Sequence, residues 1–310
     1  MQAIIPPVET KILETELTRN KFIRDTNKGD NEIYIVDYHD SPNLMREIGR
    51  LRELTFRQAG GGTGQEIDID EYDTDDVPYK QLIVWDPHEK EIVGGYRYIC
   101  GNNVRKDEKG NIHLATTELF RFSDKFVKEY LPYTIELGRS FVQPKFQPSS
   151  ENRKGLFSLD NLWDGLGALI VDHQDIKYFY GKVTMYTDYN SRARDMILYF
   201  MNYYFPDKEK LVYPFNSLVI KTDPKEFEPL FKELNYKDGH MVLNQNVRSL
   251  GENIPPLVNS YMNTSPTMKT FGTAINEHFG GVEETGILVT IKDIYPTKKE
   301  RHVASYKKHA

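Results

Sequence analysis

The sequence predicts a mixed α/β protein, and three stretches carry that expectation. Residues 134–203 read as strand, loop, helix, strand and helix, the order that parallel-capable α/β units give. Ahead of them, two β-rich runs, Tyr79 to Asp86 and Glu91 to Cys100, flank the polar turn Pro87-His88-Glu89-Lys90 and form a hairpin. Earlier still, Leu44, Ile48 and Leu51 recur at helical spacing behind a Ser41-Pro42 start. The stretch from Thr134 to Gln147 stands at the centre. There Glu136 and Arg139, with Gly138 between them, interrupt a run in which a purely structural strand would carry Val or Ile. Charges are costly to bury, and regular alternation would put these two on opposite faces. A bulge at Gly138 is therefore expected, shifting the parity and bringing them to one face.

Taken in order, residues 1–30 are polar, mixed in charge and weakly periodic, and are expected to form a loose amino-terminal arm. Residues 31–310 are expected to form one domain, irregular from about 206 onward, since no long linker or internal repeat divides them. Glu32 to Tyr38 alternates as a first strand. The helix from Ser41 to Phe56 has a polar side rich in arginine, including Arg46, Arg50 and Arg52. The run Gly60 to Gly64 follows a helix and lacks the Lys-Ser or Lys-Thr ending of a nucleotide loop, so it reads as a flexible hinge. Glu66 to Asp76 is acidic but has the wrong spacing for a calcium loop; it reads as a wall that positions an amine or a basic partner. Ser123 to Tyr130 is helix-like. Beyond the central strand come a polar loop from Pro148 to Gly155, a helix from about Leu159 to Asp172, a strand from Tyr178 to Tyr186 and a helix from Arg192 to Tyr203. A short helix at Pro224, a strand from His240 to Asn246, a short helix from Ile254 to Met262 and a strand from Thr285 to Tyr295 complete the pattern.

Composition excludes several classes. A net charge of −6 over 310 residues argues against a nucleic-acid binder. The single cysteine, Cys100, rules out an intramolecular disulfide framework and a cysteine-built metal site, and favours a reducing, cytoplasmic setting. No secretory signal stands at the amino end, and the most apolar helical window, Leu162 to Val171, is too short to span a membrane and carries Asp164. Hydrolase elbows, nucleotide loops, zinc signatures and dinucleotide fingerprints are all missing, and the eight histidines are scattered. Base chemistry therefore falls to carboxylates, whose pKa burial can raise. The segment Phe141 to Gln143, followed by Arg153-Lys154-Gly155 just ahead of a helix, suits an extended donor arm ending in phosphate.

Ile92-Val93-Gly94-Gly95-Tyr96-Arg97, Val142-Gln143-Pro144-Lys145-Phe146-Gln147 and the helix after them resemble the GNAT acyltransferase core, an α/β sandwich around a splayed central mixed sheet. More narrowly, the ordered set Arg52, Phe56, Asp70-Glu71-Tyr72-Asp73, Arg97, Glu118-Leu119-Phe120, Glu136-Leu137-Gly138-Arg139-Ser140, Leu162-Trp163 and Ile254 to Tyr261 resembles the hemolysin-like branch. That branch includes bacterial N-acyltransferases that make lyso-ornithine and lyso-glycine lipids from acyl carrier protein thioesters. The resemblance implies transfer of a fatty acyl group from acyl carrier protein or CoA, as cosubstrate and with no tightly bound cofactor or metal, to the amine of a small amino acid.

In that scheme Glu136 accepts the proton, and Arg139 orients it or binds the acceptor carboxylate. Arg52 and Arg97 are further carboxylate clamps, held by Asp70 and Asp73. Phe141, Val142, Gln143, Arg153, Lys154 and Gly155 serve the donor, and Phe120, Leu162 and Trp163 line an acyl tunnel. The compact GNAT phosphate loop is absent: Lys145 to Leu159 is longer and offers only Gly155, which is compatible with a carrier-protein donor. Acyl-homoserine lactone synthases share much of the pattern, but they are shorter and carry a tryptophan soon after the phenylalanine, where Phe56 is here followed by Arg57-Gln58-Ala59. That activity and acetyl-CoA-dependent N-acetylation are the alternatives. A lipid product is also compatible with peripheral contact at the inner face of the membrane, although no amphipathic anchor stands out.

Overall fold

A computed structural model describes residues 1–148 and 154–308. Ten strands and eight principal helices organise it. The strands are β1 (Phe22–Asp25), β2 (Glu32–Val36), β3 (Lys80–Asp86), β4 (Glu91–Cys100), β5 (Phe120–Phe122), β6 (Thr134–Val142), β7 (Tyr178–Met185), β8 (Val212–Pro214), β9 (Lys269–Asn276) and β10 (Val282–Thr290). The helices are α1 (Thr10–Glu16), α2 (Pro42–Gln58), α3 (Glu71–Thr74), α4 (Ser158–Asp172), α5 (Ser191–Tyr204), α6 (Glu228–Phe231), α7 (Tyr236–Ser249) and α8 (Pro256–Met262). Eight strands form one sheet in the order β1-β2-β3-β4-β6-β7-β10-β9, and β5 pairs with β8 apart from it. Every neighbouring pair in the large sheet is antiparallel except β6 and β7, which are parallel.

Both faces of the sheet are covered. On one face α2 buries Leu44, Ile48 and Leu51 against Tyr34, Val36, Ile83 and Trp85, and that side continues towards β7 and β10 as a second cluster of Phe120, Phe126, Tyr180 and Leu288. On the opposite face α4 and α5 pack Leu162, Leu166, Leu169 and Ile197 against Leu82, Val84, Phe179 and Ile287. The alternating side chains of the central strands explain this division, because consecutive residues serve opposite cores.

The amino-terminal arm is ordered structure, contrary to the reading of a loose lead-in. β1 extends the sheet edge beside β2, and Ile5 and Leu13 are buried. Its polar residues act at long range: the Glu16 carboxylate accepts the Asn43 and Leu44 backbone N–H groups at 3.1 and 2.8 Å, capping α2 from outside the helix. Ser41, the expected cap, instead donates its hydroxyl to Asp40 Oδ1 at 2.6 Å. The Gly60–Gly64 run is no free hinge either. The Thr63 and Gly64 amides donate to the Glu53 carboxylate at 2.9 and 2.8 Å, so an internal carboxylate occupies donors that a phosphate loop would need to keep open. The segment His240 to Asn246 is helix, not strand: α7 is capped by Asn235 and buries Gly239, Leu243 and Val247 at four-residue spacing. β9 has no counterpart in the sequence reading.

Candidate active site

β6 pairs with β7 only from Thr134 to Leu137, opposite Tyr178 to Gly181, and beyond that point the two strands diverge. Gly181 permits the last contact, since a Cβ there would lie 2.6 Å from the Leu137 carbonyl oxygen. On its other edge β6 pairs with β4, Arg97 opposite Gly138 and Gly95 opposite Phe141, so an extra residue of β6 is accommodated between those pairs. Arg139 sits there in the left-handed region at φ +48°. The expected bulge therefore exists but begins one residue later than Gly138, whose pairing with Arg97 is regular. Such a conformation costs an arginine roughly 1–2 kcal/mol. In return, Arg139 reaches the face that carries Glu136.

On that face lies a buried charge cluster. Arg139 Nε donates to Asp68 Oδ2 at 2.7 Å, and Arg52 Nε lies 3.6 Å from the same oxygen. Arg52 Nη1 donates to Asp73 Oδ2 at 3.1 Å, and Arg97 Nη1 donates to both Asp70 oxygens at 2.7 Å and to Asp73 Oδ2 at 3.3 Å. Asp70 and Asp73 also close a capping box on α3, so one short helix sets both carboxylates. Burial alone would raise the Asp68 and Asp70 carboxyls, but the facing guanidinium groups more than offset it and hold both below the usual range.

This geometry corrects the role expected of Arg52. It is fully buried and committed to Asp68 and Asp73, so no acceptor reaches it without breaking a buried ion pair. Asp70 and Asp73 do hold the arginines, and Asp68, overlooked two residues earlier in the same acidic run, joins them. Arg97 and Arg139 both reach a small cleft of ≈ 390 Å³, and Arg139 lies over the Phe279 ring at 4.3 Å.

Glu136 lies behind this cluster, 2 % exposed. Tyr79 donates its hydroxyl to Oε2 and accepts the Ala115 N–H at 3.0 Å. Burial raises the Glu136 pKa, with Thr116, Tyr79 and the charges of Arg97 and Lys182 opposing the rise. Burial and the neighbouring carboxylate push Tyr79 well above its ordinary value, so it stays a donor.

A larger cleft of ≈ 610 Å³ opens where β6 and β7 part. Its lining comes from both faces of the sheet: Phe179, Leu257 and Val289 from the α4 side, and Arg139, Lys182 and Glu284 from the α2 side. The cleft thus crosses the sheet, apolar at one end and charged at the other. Lys182 and Glu284 went unnoticed in the sequence, although a lysine inside an otherwise apolar strand is the same kind of signal that marked Glu136.

The remaining donor and tunnel residues separate. Gln143 N donates to Val93 O at 3.0 Å, and alternation likewise turns the Phe141 peptide towards β4, so neither amide faces the cleft. The Val142 peptide points the other way, its oxygen accepting Gln147 Nε2 at 2.8 Å. The Gln143 side chain is tied to Ile92 O. Gly155 packs against the Gln147–Pro148 backbone, 2.6 Å from where its Cβ would stand, and Arg153 and the side chain of Lys154 lie outside what the structure describes. Phe120 belongs to the core under β5 and β8, whereas Leu162 and Trp163 belong to the core beneath α4 on the opposite face. Phe120 does not meet the other two, and none of the three lines the cleft, because the inward faces of their elements are already filled by packing. Among the described residues no group of His, Cys, Asp and Glu is arranged to hold a metal ion, and no helix is long and apolar enough to cross a membrane.

The chain is similar in sequence to several known proteins. Residues 51–153, which span the charge cluster, β4 and β6, match the acetyltransferase (GNAT) domain family. A glycine N(alpha)-acyltransferase of Phocaeicola vulgatus is 56 % identical over 308 residues, 99 % of this chain and 94 % of that protein. One of Bacteroides thetaiotaomicron is 56 % identical over 306 residues, 99 % of this chain and 91 % of that protein. The crystal structure of the AHL synthase LasI aligns over 51 % of this chain and 74 % of its own at 16 % identity, with a TM-score of 0.34. Identity above one half along nearly the full length of both relatives, with a splayed sheet at the centre of the matched domain, shows that the chain belongs to the GNAT family of N-acyltransferases.

Proposed function

We propose that the chain transfers a fatty acyl group from a thioester, carried by acyl carrier protein or CoA, to the α-amine of a small amino acid, with glycine the first candidate. The observation that carries this reading is the cleft through the sheet, apolar on the α4 side and charged on the α2 side. An acyl thioester entering from the apolar side meets a zwitterion held on the charged side. The full-length likeness to two proteins named as glycine N(alpha)-acyltransferases supports glycine as acceptor.

The amine attacks the thioester carbonyl carbon and the carbonyl oxygen becomes an oxyanion; as it collapses the C–S bond breaks, and the second proton lost by the attacking nitrogen passes to the departing sulfur, releasing the thiol as the amide forms. In this reading the oxyanion takes its hydrogen bond from the Val142 N–H, which alternation turns to the strand edge away from β4. Glu136 takes the proton lost from the ammonium. It lines neither cleft, so the proton reaches it through an intervening group or water, and the burial that raises its pKa makes it a stronger base than an exposed carboxylate. The product is an N-acyl amino acid, an amphiphile, which is consistent with peripheral membrane contact and with a place in aminolipid synthesis.

The test pairs the purified chain with acyl carrier protein and CoA thioesters of matched chain length, and with glycine or ornithine, following N-acyl product by mass spectrometry and thiol release. Product from one thioester and one amino acid is expected, and Glu136→Gln should lower kcat by about 100-fold or more while keeping the melting temperature. No N-acyl amino acid from any pairing overturns the reading. Unchanged turnover in Glu136→Gln removes Glu136 as the base.

A further inference from the structure

The acceptor's carboxylate needs a cation, and the three arginines of the cluster face three aspartates, with Arg52 closed off entirely. Lys182 is differently placed. It is the first residue of β7 beyond the paired segment, so its side chain rises at the mouth of the splay. It lines both the larger and the smaller cleft, a property it shares with Arg139 and Phe279. Its ammonium has three donors, and Glu284 Oε1 at 2.7 Å is its one ion-pair partner among the described residues. Glu284 is itself fixed from behind, accepting Asn276 Nδ2 at 3.2 Å and Thr184 Oγ1 at 3.4 Å.

We infer that Lys182, together with the outer edge of Arg139, seats the carboxylate of the amino-acid acceptor, and that Glu284 is a positioning residue that aims the Lys182 ammonium. This rests on the reading of the acceptor as an amino acid and adds where its carboxylate binds. Two observations point there. Lys182 lines both clefts, so a carboxylate bound to it in the polar one leaves an amine two bonds away, towards the cleft proposed for the thioester. Arg97 and Arg139 are also close enough to Lys182 to oppose its charge, adding to burial in lowering its pKa against the pull of Glu284, and an anion between these cations relieves that repulsion. An ammonium with one ion-pair partner also tolerates varied approach of a carboxylate better than a guanidinium whose Nη1 already donates to both Asp70 oxygens and to Asp73.

The experiment measures steady-state kinetics of Lys182→Met and Lys182→Arg with the thioester that the unaltered enzyme uses, against glycine and against glycinamide, which lacks the carboxylate. Losing one charged hydrogen bond should raise KM for glycine about 10- to 100-fold in Lys182→Met, leave KM for the thioester within about twofold, and leave the poor use of glycinamide unchanged. Lys182→Arg should recover part of the loss. Glu284→Gln should raise KM for glycine with a smaller change in kcat. Should Lys182→Met fold poorly, acetate tested on the unaltered enzyme should compete with glycine where methylamine does not. An unchanged KM for glycine in a folded Lys182→Met, an equal loss with glycinamide, or no competition by acetate overturns the assignment. Failure of the unaltered enzyme to acylate any amino acid instead overturns the functional reading on which it stands.

Discussion

Arg52 and Glu136 show how burial decides what a charged residue can do. Arg52 resembles a substrate clamp in sequence, but with no exposure and two aspartates around it, it is an internal brace. Arg52→Met should leave Asp68 and Asp73 buried with weakened pairing and cost about 3–5 kcal/mol, seen as a lower urea midpoint. A variant of normal stability with a raised acceptor KM would return Arg52 to the substrate site. Glu136 has the opposite linkage, because its pKa is raised on folding. Its contribution to stability is full below the unfolded carboxyl range and is lost as pH rises through the raised folded value. Glu136→Gln should therefore be at least as stable as the unaltered chain at neutral pH, with the difference shrinking in acid, while the climb of transfer rate with pH that ionisation of Glu136 produces disappears. Melting curves and rate profiles across pH check both.

At the scale of elements, the splay between β6 and β7 is a property of two strands and of the glycine where their pairing ends. Gly181 lets the Leu137 carbonyl approach its Cα, and Gly94 does the same for the Phe141 carbonyl on the other edge of β6, where a Cβ would stand 2.3 Å away. Gly181→Ala should push the strands apart one residue too early, costing about 1–3 kcal/mol, and should reduce kcat for every thioester tested, since the cleft begins there. Denaturant midpoints and initial rates measure the two effects. Equal stability and full activity would mean that the divergence is set elsewhere, by the bulge at Arg139 alone. α3 makes the complementary point: four residues, weak as an isolated helix, are held by a capping box whose two carboxylates also bind arginines from α2 and β4.

At the scale of the molecule, the cleft depends on parts far apart in the chain. Arg139 comes from β6, Lys182 from β7, Leu257 from α8, and Glu284 and Val289 from β10. The charge cluster likewise ties α2, the 68–73 segment, β4 and β6 into one unit. Asp68 and Asp70 carry folded pKa values below their unfolded ones, so their stabilisation is full above pH ~4 and is lost as pH falls through the lowered values. The chain should therefore hold its near-ultraviolet circular dichroism to below pH ~4, and Arg52→Met should unfold at a higher pH by removing one of the charges that lower Asp68. Coincident acid transitions would exclude that linkage.

Local pattern was enough to specify the α/β class, the hairpin of β3 and β4, α2, α4, α5 and β7, because each of these carries its own period and its own start and stop residues. It also marked Glu136 and Arg139 as charges in places where burial needs a reason, while Arg97, Asp70 and Asp73 stood out as site residues through the family resemblance. It misjudged α7 because a short contiguous apolar run, Met241-Val242-Leu243, fits strand and helix alike until the cap and the four-residue spacing are weighed together. Only the tertiary structure decided that Arg52 braces while Arg139 faces the cleft, that Phe120 and Trp163 belong to separate cores, and that Lys182 and Glu284 meet. The physical reason is that exposure and partnership arise when distant strands close on one another. Lys182 and Glu284, 102 residues apart, become neighbours through the register of β7 on β10.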